Sequence, residues 1–116
     1  MRKFVLILFA AVAISAFAAD TTVKGYLVDL SCAKEDGNRP GFGATHKKAC
    51  LQMDDCAASG YGVLTPDKKV VKFDKAGNEQ AKKFIADVKK VKDIRVNVTG
   101  NVSGDTMTVS KIELQP

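Results

Sequence analysis

Three cysteines and one histidine, the full complement of both residue types in the 116-residue chain, fall within a single stretch. The order is Cys32, thirteen residues, His46, three residues, Cys50, five residues, Cys56. Thiolates and imidazole are ligands for thiophilic transition metals, and a Cys3His set is a closed tetrahedral zinc pattern. Ligands four apart on a helix project from the same face, so His46 and Cys50 form a chelating pair if the segment is helical. If Met53 replaces Cys56, the set becomes Cys, His and Met, and soft sulfur favours copper, Cu(I) especially. The spacing follows no zinc-finger consensus. The His46–Cys50 pair is its specific part.

The same cysteines admit a second chemistry. A Cys32–Cys50 or Cys32–Cys56 disulfide would staple the stretch to the rest of a small domain. Cys50–Cys56 within one continuous helix is excluded, because a rise of 1.5 Å per residue separates the Cα atoms by about 9 Å. A bridge requires less than about 7 Å, so this pairing demands a helix break near Met53. Three is an odd number, and one thiol must stay free, ligated or bridged to another molecule. Under the disulfide reading, Met53 is a core residue and His46 a surface or capping one.

Catalytic signatures are lacking. Cys50 with His46 as base is the one nucleophile–base pair available, and no third residue is evident to orient the histidine. There is no CxxC redox motif, no CxxCH haem attachment motif, no P-loop and no dinucleotide fingerprint. Asp29 and the Asp54-Asp55 pair are candidate acid ligands or bases, but read as surface carboxylates by default. The expectation is a protein without enzymatic activity.

The elements that must position these residues begin after an export signal. Arg2 and Lys3 precede an apolar run from Phe4 to Ile14, and Ser15-Ala16-Phe17-Ala18 supplies small residues at a cleavage site after Ala18. Residues 1–18 are read as a cleaved signal peptide and 19–116 as a single domain, exported to the periplasm or the extracellular space, with no membrane span in the mature chain. An oxidising compartment allows disulfides to persist. The net charge of the full chain is +5, and loss of Arg2 and Lys3 leaves sixteen basic residues against thirteen acidic. The lysines are scattered, Trp is absent and aromatic residues are few, so no nucleic-acid partner is expected.

Thr21 to Leu30 is rich in β-branched and aromatic residues and reads as a strand with a bend at Gly25. Glu35 to Gly43 reads as loop. Ala44 to Ser59 has helical composition, with Thr45 as N-cap and Gly60 as the terminating residue. Asp54 and Asp55 then lie late in that helix, against its dipole, so a break or early end near Met53 is allowed.

Tyr61–Thr65 and Lys69–Asp74 are short strands about a Pro66-Asp67-Lys68 turn. A second helix is expected over Glu79–Val91, capped by Asn78, with Ala81, Phe84, Ile85, Val88 and Val91 as its apolar stripe. Asp93–Thr99 alternates as a half-buried strand, Gly100–Asp105 carries turn residues, and Thr106–Gln115 is the last strand. Its inward parity switches between Val109 and Ile112, which predicts a β-bulge at Ser110 or Lys111.

This order is mainly β with two helices. It predicts an OB-fold-like five-stranded Greek-key barrel with a helix between strands 3 and 4 and a Cys/His helical insert, residues 31–60, between strands 1 and 2. The alternative is a split sheet with both helices on one face.

The run Gly25-Tyr-Leu-Val-Asp29 before Cys32, then His46, Cys50 and Cys56-Ala-Ala-Ser-Gly60, with Val96-Asn-Val-Thr-Gly100 and Thr106-Met-Thr-Val109, resembles a set of small exported bacterial proteins of uncharacterised function. The resemblance extends over nearly the whole mature chain. It implies an OB-like domain, bacterial export and a Cys/His signature set, and it implies no activity.

The functional expectation is a protein that handles or senses Zn or Cu through Cys32, His46, Cys50 and Cys56, with Met53 as a conditional ligand. The alternative is a disulfide-stapled binding module for a protein or envelope ligand. Its candidate ligand face carries Tyr61, Lys72 and Phe73, by analogy with the strand 2–3 face of OB barrels.

Overall fold

The computed structural model describes residues 20–116. The signal-peptide reading falls on residues 1–18, outside the described residues. Five strands and five helices follow one another as β1 (Thr21–Asp29), α1 (Leu30–Asp36), α2 (Phe42–Thr45), α3 (Lys48–Leu51), α4 (Asp54–Ser59), β2 (Tyr61–Leu64), β3 (Val70–Phe73), α5 (Lys75–Asp87), β4 (Arg95–Ser103) and β5 (Thr106–Leu114). No helix among the described residues is long and apolar enough to cross a membrane.

The strands close on themselves as a barrel in the order β1-β2-β3-β5-β4. All pairings are antiparallel except β3 with β5, where Lys72 faces Thr106 and Phe73 faces Met107. β1 serves two neighbours. Its first half, through Tyr26, pairs with β4, and Tyr26 to Asp29 pairs with β2. Gly25 sits just before the changeover, where a Cβ would run into the carbonyl of Leu64. The bare backbone lets β1 bend there from one partner to the other.

The expected bulge is present. Thr99 pairs with Lys111 while Gly100 pairs with Val109, which leaves Ser110 as the extra residue. Its effect on burial is uneven, since Met107 and Val109 are buried, Ile112 is half-buried and Leu114 is exposed. β4 runs four residues beyond the expected end at Thr99, and a two-residue turn at Gly104-Asp105, with Gly104 at φ 62°, closes the hairpin. Gly100 belongs to the ladder because a side chain there would strike the Thr108 carbonyl.

Alternation along the strands fills the barrel with Leu27, Val63, Phe73, Val96, Val98, Met107 and Val109. Tyr61 joins them, and α5 covers one end with Ala81, Ile85 and Val88. This helix starts and stops four residues before the expected Glu79–Val91. Asp74 is its N-cap, accepting the Gly77 N–H at 2.9 Å, and Asn78 instead accepts the Tyr61 N–H at 2.9 Å. Gly77 decides the choice. A Cβ there would approach Val109 Cγ2 to 2.6 Å, so only glycine lets the first turn lie this close to β5. Val91 consequently falls past the helix and is exposed.

The insert departs further from expectation. In place of one helix over 44–59 there are three short ones, and a fourth, α1, occupies part of the segment read as loop. Extended backbone at His46 and Lys47 separates α2 from α3, and Met53 at ψ 139° separates α3 from α4. Thr45 ends α2 and donates its hydroxyl to the Gly41 carbonyl at 2.9 Å, so it is not an N-cap. The restart after Met53 places Asp54 and Asp55 in a first turn, where the helix dipole favours them. Gly60 ends α4 at φ 89°.

Two anchors hold α3 against the barrel. Leu51 is fully buried in the main core, and Lys48 donates from Nζ to the Val88 carbonyl at 2.6 Å, at the open end of α5. A smaller core of Val28, Ala33, Phe42 and Leu64 lies on the other face of β1.

Candidate metal centre

Asp29 is the last residue of β1 and the N-cap of α1. The strand's alternation is interrupted here, with Leu27, Val28 and Asp29 all buried. Asp29 is completely inaccessible, and its Oδ2 accepts the backbone N–H of Cys32 at 2.9 Å. That is the ordinary capping bond of an aspartate to the third helical residue. It places Cys32 one turn above the carboxylate.

His46 approaches from the break between α2 and α3. Its Nε2 lies 2.7 Å from Asp29 Oδ1, and because an ionised carboxylate only accepts, Nε2–H is the donor. The ring also rests on Phe42, with centroids 4.8 Å apart. The histidine is nearly buried.

α4 contributes the remaining group. Cys56 is its third residue and is buried, and its Sγ lies 3.9 Å from that of Cys32. Asp29, Cys32 and Cys56 thus bring one carboxylate oxygen and two sulfurs within 4.8 Å of one another.

The electrostatics of this cluster are lopsided. Burial opposes ionisation of Asp29, but the hydrogen bond from His46 and those from the backbone and thiol of Cys32 outweigh it, and the carboxyl titrates below its ordinary value. For Cys32, burial and then the adjacent carboxylate push the thiol up to about 12. Burial and the same carboxylate raise Cys56. The same carboxylate is thus held ionised by its hydrogen bonds and opposes ionisation of both thiols. A coordinated metal ion reverses this logic and deprotonates its thiol ligands outright.

The expected ligands divide accordingly. Cys32 and Cys56 come together. His46 reaches the cluster through Asp29, because the helix expected to align it with Cys50 is broken between them. Cys50, half-buried on α3, lies outside the three-residue group, although it is near enough to Cys56 to act on it electrostatically. Met53 is 58% exposed at the head of α4 and belongs neither to the cluster nor to the core.

Of the three ligand-face candidates, Tyr61 and Phe73 are core residues, and Tyr61 donates its hydroxyl to the Leu51 carbonyl at 2.7 Å. Their faces are closed to any outside ligand. Lys72 is exposed and pairs with Asp105 at 3.4 Å. The residue that sequence reasoning left out of the expected ligand set is Asp29, a candidate acid ligand read by default as a surface carboxylate. The signal for it was the capping spacing Asp29-Leu-Ser-Cys32 at the end of a strand.

Comparison with known proteins adds no relative: no family model, no curated protein and no solved structure matches the chain.

Proposed function

We propose that this is an exported protein with an OB-like barrel that binds a thiophilic divalent metal, zinc by preference, through Cys32, Cys56 and Asp29. The strand order with its parallel β3–β5 closure, and a helix between β3 and β4, supports the OB-like assignment. One observation carries the metal reading. Two thiolates bound at about 2.3 Å to a tetrahedral zinc stand about 3.8 Å apart, and the two sulfurs here stand 3.9 Å apart with a carboxylate beside them.

The two oxygens of Asp29 accept from the Cys32 backbone N–H and from His46, which aims the carboxylate at the two sulfurs. His46 holds the carboxylate in place, as outer partners of metal ligands commonly do. A carboxylate in the set and Met53 outside it favour Zn²⁺ over Cu(I). The role we propose is metal handling or sensing without catalysis.

A disulfide-stapled binding module is the second reading, and the same 3.9 Å separation favours it, since a closing of about 2 Å joins Cys32 to Cys56. Native and denaturing mass spectrometry with thiol alkylation separates the two. The metal reading expects one zinc per chain, lost on denaturation, with three alkylatable thiols. Cys56→Ser should abolish binding, while His46→Ala should weaken it by about 10- to 100-fold, as loss of an outer partner does. A single alkylatable thiol, with no zinc taken up even after reduction, overturns it in favour of the staple.

A further inference from the structure

A second region, away from the cysteines, combines a cleft, an aromatic wall and a set of cations, of which Arg95 is paired with Asp93. A cleft of about 490 Å³ is lined by Lys24, Tyr26, Leu64, Pro66, Arg95 and Gln115. A smaller one of about 160 Å³ adjoins it across Tyr26, Leu64 and Pro66 and reaches Arg39 and Lys68. Four cationic side chains thus border a shared apolar floor, and no acidic residue lines either cleft.

The floor is built by the bend in β1. Tyr26 follows Gly25 at the changeover between β4 and β2, and its ring lies against the backbone of Gly43, where a Cβ would collide with it. The guanidinium of Arg95 stands 5.5 Å from the centre of that ring. Arg95 is itself steered by its Nε–H bond to Asp93 Oδ1 at 3.0 Å, the one hydrogen bond from its side chain among the described residues. The terminal nitrogens remain available as a fork for an anion.

We propose that this cleft is a binding site for a small amphipathic organic anion. Its apolar body rests on Tyr26, Leu64 and Pro66, and its carboxylate lies between Lys24 and Arg95. The volume is within the range of small-molecule sites, which join an apolar lining to a few placed polar groups. Charge of one sign over low-dielectric walls concentrates counter-ions of the other. The proposal rests on none of Asp29, Cys32 and Cys56, and so does not depend on the metal reading.

The test is a titration of 2-naphthoate into the ¹⁵N-labelled protein, followed by two-dimensional amide spectra, with 2-naphthalenemethanol and acetate as the body-only and charge-only controls. Saturable shifts at Lys24, Tyr26, Arg95 and Gln115 are expected. The neutral alcohol, and naphthoate on Arg95→Gln, should each bind about tenfold more weakly, the worth of one charge-assisted hydrogen bond. Arg95→Lys should recover part of the loss. Lys24→Gln, at an exposed position, provides the same comparison if Arg95→Gln does not fold. Absence of saturation, shifts confined to α5, or equal affinity for the alcohol and the carboxylate would overturn the proposal.

Discussion

The barrel and the insert between β1 and β2 are built on different physical principles. In the barrel, nine-residue strands β1, β4 and β5 pair along most of their length around an apolar interior that includes Val63, Val96, Val98 and Met107. In the insert, helices of four to seven residues bury little: Ala33 and Phe42 pack on Val28 and Leu64 of the strands, and Leu51 enters the main core. Helices this short are not stable by themselves. What fixes them, besides Leu51 in the main core, is a handful of polar links: Asp29 to Cys32 and His46, Lys48 to the end of α5, and the Tyr61 hydroxyl to Leu51. The difference teaches that apolar burial stabilises the fold as a whole, while buried polar bonds place the residues that carry chemistry.

The largest effect should come from the barrel. Met107→Ala removes a fully buried side chain beside the parallel β3–β5 pairing, and such truncations cost about 2–5 kcal/mol. Urea unfolding should show that loss, and amide hydrogen exchange should accelerate in the barrel and the insert together. If the insert kept its protection, it would be an independent unit and the comparison would fail.

Asp29→Ala comes next and acts on the insert. It removes the α1 cap and leaves the buried Nε2–H of His46 without its acceptor. Hydrogen bonds to a charged group are worth about 1.5–3 kcal/mol each before relaxation. In the metal-free protein, exchange should quicken between His46 and Ser59 well before it does in β4 and β5. Equal loss in both regions would show that the carboxylate supports the whole fold.

Acid sharpens the same contrast. The Asp29 carboxyl titrates lower in the folded protein than in the unfolded chain, so the unfolded state takes up a proton first as pH falls. The stability that Asp29 contributes is complete above about pH 4, the ordinary carboxylate range, and declines as pH drops through the depressed folded value. The stability of the wild type minus that of Asp29→Asn should therefore narrow below about pH 4 in metal-free urea titrations. A gap that stayed constant down to pH 2 would contradict the assignment.

How far each region could be read in advance follows the same division. Ile94, Val96 and Val98 announce β4 by alternation, and the parity change after Val109 announces the Ser110 bulge, because both follow from local geometry that a barrel preserves. The start of α5 lies four residues before the expected one, with Asp74 and not Asn78 as its cap. The choice rests on Gly77 fitting against Val109, which lies on another strand. In the insert, the breaks at His46 and Met53 come from contacts distant in sequence, and helical composition from Ala44 to Ser59 carries no trace of the first. The Asp54-Asp55 pair did betray the second, since two acids belong at a helix start. Asp29 was hidden by its context, because a charged residue at a strand end ordinarily faces water.

Lys48→Met is the smallest change and the finest probe of how the two regions are joined. The ammonium group donates to the Val88 carbonyl at 2.6 Å and lies 3.5 Å from that of Ala86, so it answers the unpaired carbonyls at the end of α5. A cation there is worth about 0.3–1 kcal/mol from the helix dipole, and methionine preserves most of the apolar stem. Unfolding should shift by that amount and no more, because Leu51, on the same short helix, still plugs the core. Exchange should quicken for the Lys48 N–H, which donates to the Val91 carbonyl at 2.8 Å, and remain unchanged at Cys32. If the Cys32 amide also loosened, α3 would be transmitting the state of α5 to the metal centre, and the insert would be coupled to the barrel through a charge as well as through its core.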